Sequence, residues 1–271
     1  MDDGSVKGTQ SIARAIALIK AICQRPINGW CLADLVAYCG LEDGTARRVL
    51  KKLVLERLLA RRACDGRYVP GPLLYELGMT AFPYAQFQSA CEPYLGRLGR
   101  RFDSAAFLYL RSGDEFVCIG LRNPLSLKGV VLQVGTRRSL GLASGGMAII
   151  LGLEEPERSR MLRTCEKVAR KQGKKALATF QNIHARSEAF GAGVNLNDGL
   201  GGVAAVCAAL FLAPGEPFAS IGVGNAADHI AMLGVERVKE AVEQEARAIE
   251  RDLAGLIAAF RQVEPGAGLQ C

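Results

Sequence analysis

Apolar side chains recur every three or four residues along the first fifty residues, which is the spacing of amphipathic helices. The pattern predicts one helix over about residues 11–24, a second that ends at Gly40, and a third that begins near Thr45. The apolar positions that follow this spacing are Ile12, Ile16, Ile19 and Cys23, then Leu32, Leu35, Val36 and Cys39, then Ala46, Val49, Leu50 and Leu53. Three short helices with one apolar stripe each indicate a small helical domain.

Two short strands are predicted directly after the third helix, over residues 58–61 and 67–69. The pair Asp65-Gly66 lies between them, and this dipeptide is a strong signal for a tight hairpin turn. Two helices joined by a glycine turn and closed by a hairpin form the layout of a winged helix-turn-helix. In that motif the second helix enters the DNA major groove.

After residue 72 the pattern changes, and strands alternate with helices. A linker helix is predicted over Leu73–Ala81, ended by Pro83, and another helix over Cys91–Phe102 with its start marked by Pro93. The further predicted strands are 105–111, 116–122, 130–134, 203–212 and 218–223, and the further helices are 145–153, 156–165, 178–189 and 235–260. This mixture predicts an α+β fold with a largely antiparallel sheet flanked by helices.

These elements divide the chain into four parts. We expect a DNA-binding domain over residues 9–71, a linker helix over 72–88, a second domain over 89–262 and a frayed tail over 263–271.

Positive charge is concentrated in the predicted helix-turn-helix. The chain has a net charge of +7, and the segment from Glu42 to Arg67 holds eight basic and four acidic residues. Arginine can bind guanine or phosphate with two parallel hydrogen bonds, whereas lysine suits phosphates. The residues expected to contact DNA are Thr45, Ala46, Arg47, Arg48, Lys51 and Lys52 on the helix and Arg67 and Tyr68 on the wing. The alternative is a small helical cap with a solvated basic face. The apolar stripes, the glycine turn, the hairpin and the basic charge together favour DNA binding.

The cysteine and histidine content argues against a metal site. The chain has nine cysteines, with no C-x-x-C pair, and only two histidines, His184 and His229. We expect no metal and no cofactor, and we interpret the cysteines as reduced core residues, with oxidation sensing as an alternative.

Neither a signal sequence nor an apolar run of about 20 residues is apparent, so we expect a cytoplasmic protein with no membrane partner.

Three further segments carry weaker signals. Residues 222–227 partly match a dinucleotide fingerprint, but they lack the required following strand and acidic residue, and the glycines at 199–202 lack a preceding strand. Ser144 lies outside G-x-S-x-G, so residues 144–146 either open a helix N-terminus to a small anion or serve close packing. The basic run Lys167, Arg170, Lys171, Lys174 and Lys175 is predicted to be a solvated surface loop.

Several segments together resemble the IclR family of transcriptional regulators. In the first domain the resemblance rests on residues 10–19, 32–35, 40–41, 45–53, 67–71 and 77–78. In the second domain it rests on residues 134–137, Gly146, 206–211 and 218–223. It covers about residues 9–260 and is more specific in the first domain.

The resemblance implies a winged helix-turn-helix, a linker helix and a GAF-like effector-binding domain. It also implies a homodimer or dimer of dimers that binds a palindromic operator and responds to a small metabolite, commonly an organic or aromatic acid of a catabolic pathway. The positions that match the family's ligand pocket are Ser144, Gly145, Gly146, Asn195, Asn197, Val206, Gly222 and Gly224.

The chain departs from the family pattern around this predicted pocket. Gly222 and Gly224 stand where some members have hydroxyl residues, and Met147 stands where a lysine is frequent. Ser139 and Gly141 replace a common proline and histidine. The glycines predict extra room for a bulkier or more apolar effector, such as an aromatic acid.

Two other functions stay open on the sequence. The first is an enzyme of small organic acids with the basic unit as an oligomerisation cap, although the acid, base and nucleophile pattern of such an enzyme is missing. The second is a regulator that senses oxidation through its thiols. The sequence favours a DNA-binding regulator that is not an enzyme.

Overall fold

The computed structural model describes residues 9–123, 132–198 and 201–263. The chain forms two compact units, Met1–Phe82 and Pro83–Cys271. Three predictions fall partly or wholly outside the described residues: the start of the strand at 130–134, the glycine segment at 199–200, and the tail from residue 264.

Unit 1 contains the predicted helices and hairpin. Its elements are α1 (Gln10–Cys23), α2 (Leu32–Cys39), α3 (Asp43–Leu55), β1 (Leu59–Arg61), β2 (Tyr68–Pro70) and α4 (Pro72–Thr80). Gly40 ends α2 in the left-handed region, with a φ of 61°, which a residue with a β-carbon rarely adopts. The strands β1 and β2 pair antiparallel, so Arg61 lies opposite Tyr68.

One apolar cluster holds unit 1 together. Leu18 and Ile22 of α1, Leu35 of α2 and Leu50 of α3 are fully buried in it, together with Trp30. The backbone of Trp30 exchanges two hydrogen bonds with Tyr68, which attaches the segment before α2 to the hairpin. The position of α3 relative to the hairpin is therefore set by packing on both sides of this cluster.

Unit 2 contains a six-stranded sheet covered on both faces by helices. Its elements are α5 (Phe82–Phe102), β3 (Ala105–Ser112), β4 (Glu115–Arg122), β5 (Arg137–Ser139), a 3-10 turn (Leu140–Leu142), α6 (Ser144–Gly152), α7 (Glu157–Gln172), α8 (Lys174–Phe190), β6 (Gly193–Leu196), β7 (Val203–Phe211), β8 (Pro217–Ala226), α9 (Ala227–Leu233), α10 (Val235–Asp252) and α11 (Ala254–Val263). The strand order is β5-β4-β3-β8-β7-β6, and every pair is antiparallel. The predicted α+β class is confirmed.

The two faces of the sheet have separate apolar cores. Residues of α5, α10 and α11 pack on one face, against side chains such as Leu108, Val206 and Ile221. Residues of α6, α7 and α8 pack on the other face, against side chains such as Phe107, Tyr109 and Cys207. Because side chains alternate along a strand, neighbouring residues belong to different cores.

Two helix boundaries were predicted wrongly. Pro93 lies inside α5 rather than at the start of a helix. Phe87 and Cys91 before it, and Leu95 and Leu98 after it, are buried in one core, so packing along the whole helix offsets the backbone hydrogen bond that proline cannot make. The long final helix is interrupted at Leu253, between α10 and α11.

The sheet edges and the basic run were also predicted wrongly. Residues 132–134 are not a strand, whereas the short edge strands β5 and β6 were not predicted. The five basic residues from Lys167 to Lys175 belong to α7 and α8 rather than to a loop, because Met161, Cys165 and Ala169 give α7 a buried stripe.

Within the described ranges, no helix has the length and apolar character needed to cross a membrane. The same residues contain no group of three His, Cys, Asp or Glu side chains that could hold a metal ion.

Candidate nucleic-acid interface and effector site

The third helix presents its basic residues on one outer face. Ala46, Leu50 and Leu53 are buried against unit 1, which leaves Arg47, Arg48, Lys51 and Lys52 exposed and Thr45 half-buried. Ala46 was expected to contact DNA, and this prediction is wrong for its side chain, because Ala46 has no exposed surface.

The exposed cations of α3 differ in their partners. Nε of Arg47 donates to Oδ2 of Asp43 at 2.6 Å, and the Lys52 ammonium pairs with Glu56. Arg48 reaches only the Thr45 hydroxyl, at 3.5 Å. Neither Arg48 nor Lys51 pairs with a carboxylate of the described residues. These two side chains therefore hold the positive charge that is not neutralised within the helix.

The hairpin is held by Arg62, a residue that sequence reasoning did not single out. Its guanidinium donates two hydrogen bonds to Asp65, at 2.9 and 2.6 Å, and one each to the backbone carbonyls of Ile27 and Asn28. These bonds from Arg62 are the largest cause that lowers the pKa of Asp65 to about 2. Asp65 is therefore ionised at neutral pH, and Arg62 is occupied by the wing rather than free for DNA.

The two wing residues predicted to contact DNA are only half-buried. Arg67 lies close to Asp65 and donates to the carbonyl of Asn28 at 3.3 Å. Tyr68 is fixed in β2 through its backbone bonds to Trp30. Both side chains lie on the hairpin that Arg62 and Asp65 clamp, so their backbone positions are well defined.

The predicted effector residues gather partly around the start of α6. The hydroxyl of Ser144 is buried and accepts a hydrogen bond from the Cys207 thiol at 3.3 Å. A β-carbon on Gly145 would lie 2.2 Å from the Tyr109 ring, and one on Gly146 would lie 2.1 Å from the Leu140 carbonyl oxygen. The glycines let the first turn of α6 lie directly on the sheet.

The extra room predicted beside Gly222 and Gly224 does not exist, so that prediction is wrong. A β-carbon on Gly222 would lie 2.4 Å from Sγ of Cys207 and 2.7 Å from the Phe107 ring, and one on Gly224 would lie 3.1 Å from the same ring. Phe107 stacks against Tyr109, with ring centroids 4.9 Å apart. The aromatic side chains of β3 thus fill the volume that the glycines leave.

Two other predicted pocket residues point elsewhere. Val206 lies in the core on the opposite face of the sheet, whereas its neighbours Ala205 and Cys207 face α6. Asn197 is exposed, has a φ of 74°, and its amide oxygen accepts the Gly202 N–H. Both predictions are wrong. Alternation along β7 points the Val206 side chain away from α6, and Asn197 forms the turn after β6.

Asn195 is buried on β6, opposite Ala205 on the α6 face of the sheet. Its amide oxygen accepts the Asp198 N–H at 2.8 Å, so it also supports the turn after β6.

Ser220 is the site residue that sequence reasoning missed. Its hydroxyl is fully buried, has no hydrogen-bond partner among the described residues, and would lie 3.0 Å from a β-carbon on Gly145. Tyr109 lies directly opposite it on β3, and burial raises the pKa of that phenol well above its usual value. The period of two from Gly222 and Gly224 places Ser220 on their face, and this signal could have identified it.

The chain is similar to known regulators of transcription over part or most of its length. No family model matches the chain. A helix-turn-helix transcriptional regulator of Mycobacterium tuberculosis is 27% identical over 155 residues, which are 57% of this chain and 59% of that protein. A glycerol operon regulatory protein of Streptomyces coelicolor is 23% identical over 253 residues, covering 91% of this chain and 97% of that protein.

Solved structures share the fold over most of the chain. An IclR-family regulator from Brucella abortus superposes with a TM-score of 0.70 at 16% identity, covering 93% of this chain and 94% of the other. An IclR homologue from Microbacterium hydrocarbonoxydans, solved with 4-hydroxybenzoate, superposes with a TM-score of 0.65 at 16% identity. The match covers 91% of this chain and 100% of that homologue.

The resemblance to the IclR family is confirmed at the level of the fold. The curated relatives are regulators of transcription, which agrees with the prediction that this chain is a regulator and not an enzyme. The chain divides into a helix-turn-helix unit and a larger α+β unit, and the solved IclR-family structure shares this fold over 93% of the chain.

The buried cysteines of the second unit are expected to be unreactive. Burial raises the pKa of Cys91, Cys118 and Cys207 to about 12, so almost no thiolate forms at neutral pH. With a thiol reagent on the native chain, mass spectrometry should find Cys64, which is exposed, labelled well before these three. Rapid labelling of Cys118 or Cys207 would instead favour an oxidation-sensing regulator.

Proposed function

We propose that the chain is a DNA-binding transcriptional regulator controlled by a small-molecule effector, an organic or aromatic acid. The observation that carries this proposal is the outer face of α3, where Arg48 and Lys51 have no acidic partner among the described residues. Their helix is packed on a buried cluster and stands beside a hairpin clamped by Arg62. A rigid helix with free cations suits the major groove and the adjacent phosphates.

Salt dependence tests the DNA-binding part of this proposal. A protein that neutralises phosphates releases counterions, so log affinity falls with log salt by about 0.9 for each phosphate contacted. We expect the full chain to bind a labelled duplex, selected from a randomised library, with a steep slope in fluorescence anisotropy. An enzyme with a basic oligomerisation cap would enrich no sequence from the library.

Self-association is the second part of the proposal. α1 exposes Ile12 and Ile16, and α4 exposes Tyr75, Leu77 and Met79, which are large apolar side chains. Exposed apolar patches of this kind mark interaction surfaces. We propose that a second copy of the chain covers them, as a homodimer or a dimer of dimers, and that the two recognition helices then bind a palindromic operator.

The start of α6 is the proposed effector site. No side chain caps this helix, and its first turn is buried beside the unpartnered Ser220 hydroxyl. Backbone N–H groups at a helix start and a free hydroxyl are suitable donors to a carboxylate. The nearby Phe107 and Tyr109 rings favour an aromatic acid that displaces one of them, and the structural neighbour that contains 4-hydroxybenzoate supports this class.

A thermal-shift titration of the full chain tests the effector. Ligand that binds only the folded state raises the melting temperature, so we expect benzoate or 4-hydroxybenzoate to do so more than succinate. Ser220→Ala should raise the acid concentration needed for the same shift by at least about tenfold, since a hydrogen bond to a charged group contributes about 1.5–3 kcal/mol. Thr164→Ala, which removes a hydroxyl from α7, is the matched control.

Two results of this titration would contradict the effector proposal. If Ser220→Ala and Thr164→Ala respond alike, the acid binds elsewhere, and if no acid shifts the parent chain, an organic or aromatic acid is not the effector.

A further inference from the structure

The ion pair between Asp43 and Arg47 leaves the ends of the arginine free. Only Nε of Arg47 donates to Asp43, at 2.6 Å. Its two terminal nitrogens have no partner among the residues that the structure describes. The four hydrogens on those nitrogens include a parallel pair that points away from the carboxylate.

That remaining pair of donors is what guanine requires. In the major groove guanine presents two adjacent acceptors, O6 and N7, and arginine binds them with two parallel hydrogen bonds. A long arginine side chain loses much rotamer freedom when it is fixed in this geometry. A carboxylate that already holds Nε lowers that cost, because the fork is oriented before DNA binds.

The pair also stands at the suitable end of the helix. Asp43 is the first residue of α3, and Arg47 follows one turn later. The N-terminal residues of a recognition helix are those that contact base edges. The side chains of Arg47 and Asp43 are 64% and 57% exposed, so the pair adds little to stability.

A carboxylate on this face has a cost for DNA binding. Asp43 places a negative charge where phosphates must approach, and it removes net charge from the face on which Arg48 and Lys51 lie. As an acid in the first turn of α3, Asp43 also stabilises the helix modestly through the helix dipole. At the DNA interface it can have a further role. Orientation of Arg47 supplies one.

We propose that Asp43 is a positioning residue that holds Arg47 as the guanine reader of the operator. This inference rests on the proposed function, because it requires a specific DNA partner. Arg47 reads one G·C pair in each half-site, Asp43 fixes its fork, and Arg48 and Lys51 bind the backbone.

The same helix provides a matched control pair. Lys52 and Glu56 are also four residues apart and exposed, but an ammonium cannot make the bidentate contact to guanine. Removal of either acid lowers the repulsion of phosphates. Only removal of Asp43 should also disturb base recognition.

The experiment uses the full-length chain and duplexes selected by it from a randomised library. Affinities are measured for the selected duplex and for duplexes with one base pair changed at a time, and Arg47→Ala identifies the pair that Arg47 reads. Asp43→Ala should lower the preference at that same pair by about tenfold and leave the other preferences unchanged. Asp43→Asn should keep the preference, since its amide oxygen can still accept from Nε, and should raise affinity for every duplex.

Glu56→Ala should raise affinity for every duplex with all preferences unchanged. The inference is overturned if Asp43→Ala keeps the parent's preference at the Arg47 pair, or loses preference equally at all pairs. Circular dichroism of each variant checks whether alanine at position 43 disturbs α3. If it does, the comparison of Asp43→Asn with the parent chain still tests the proposal. A parent chain that enriches no sequence would overturn the proposed function itself, whereas a selective parent with an unaffected Asp43→Ala variant overturns only the role of Asp43.

Discussion

Alanine at both Arg48 and Lys51 is expected to weaken binding of the selected duplex by roughly a hundredfold, or about 3 kcal/mol. These are the exposed cations of α3 that do not pair with a carboxylate of the described residues. Each can therefore bind a phosphate without first breaking an ion pair. Loss of two phosphate contacts should also lower the slope of log affinity against log salt by about 2.

The matched control removes two cations of equal charge from the other unit. Arg163 and Lys167 are exposed on α7, one turn apart. Their alanine variant should keep most of the parent's affinity, because only charges at the interface release counterions in binding. Equal losses in the two double variants would contradict the assignment of α3 as the main DNA contact.

Alanine at Gly193 is expected to destabilise unit 2 by about 3 kcal/mol or more. The added β-carbon would lie 1.9 Å from the Ser144 carbonyl oxygen and 2.8 Å from the β-carbon of Ala148. The first of these is a backbone atom, so no rotamer change can relieve the contact. α6 would have to move away from β6, and the effector site at its start would be disturbed.

Urea unfolding measured with two probes checks this result. Trp30 is the single tryptophan of the chain and lies in unit 1, so its fluorescence reports on that unit. We expect far-UV circular dichroism to show an earlier transition in Gly193→Ala, with the Trp30 transition little changed. Gly255→Ala in α11 is the control, since nothing lies within 4 Å of its added β-carbon and alanine favours helices. Equal urea midpoints for Gly193→Ala and Gly255→Ala would contradict the predicted clash at position 193.

The first unit could be predicted well because its signals are local. Helical spacing, the left-handed Gly40 and the Asp65-Gly66 turn each act within a few residues of sequence. The wing clamp was beyond this reasoning, because Arg62 binds carbonyls at Ile27 and Asn28, far away in the chain. Sequence placed the basic face of α3, and the i, i+4 spacing of Asp43–Arg47 and Lys52–Glu56 is a local signal that could have indicated which of its cations have acidic partners.

The second unit was predicted less completely because its details depend on distant pairings. The edge strand β6 exists because β7 supplies its hydrogen bonds, and Gly193 has little strand preference of its own. Pro93 is tolerated inside α5 because both halves of that helix pack on one core. The room expected beside Gly222 is filled because Phe107 lies directly opposite it in the register of β3 and β8.

The sequence by itself determined the helix-turn-helix, its hairpin, the concentration of positive charge and the α+β class, since periodicity and turn residues fix which side chains share a face. Only the tertiary structure decided what each face meets. Val206 turns away from the predicted pocket, and Phe107 occupies its glycine-lined side. The Ser220 hydroxyl is buried there with no hydrogen-bond partner among the described residues. The physical reason is that cross-strand register and helix packing join residues that no local pattern connects.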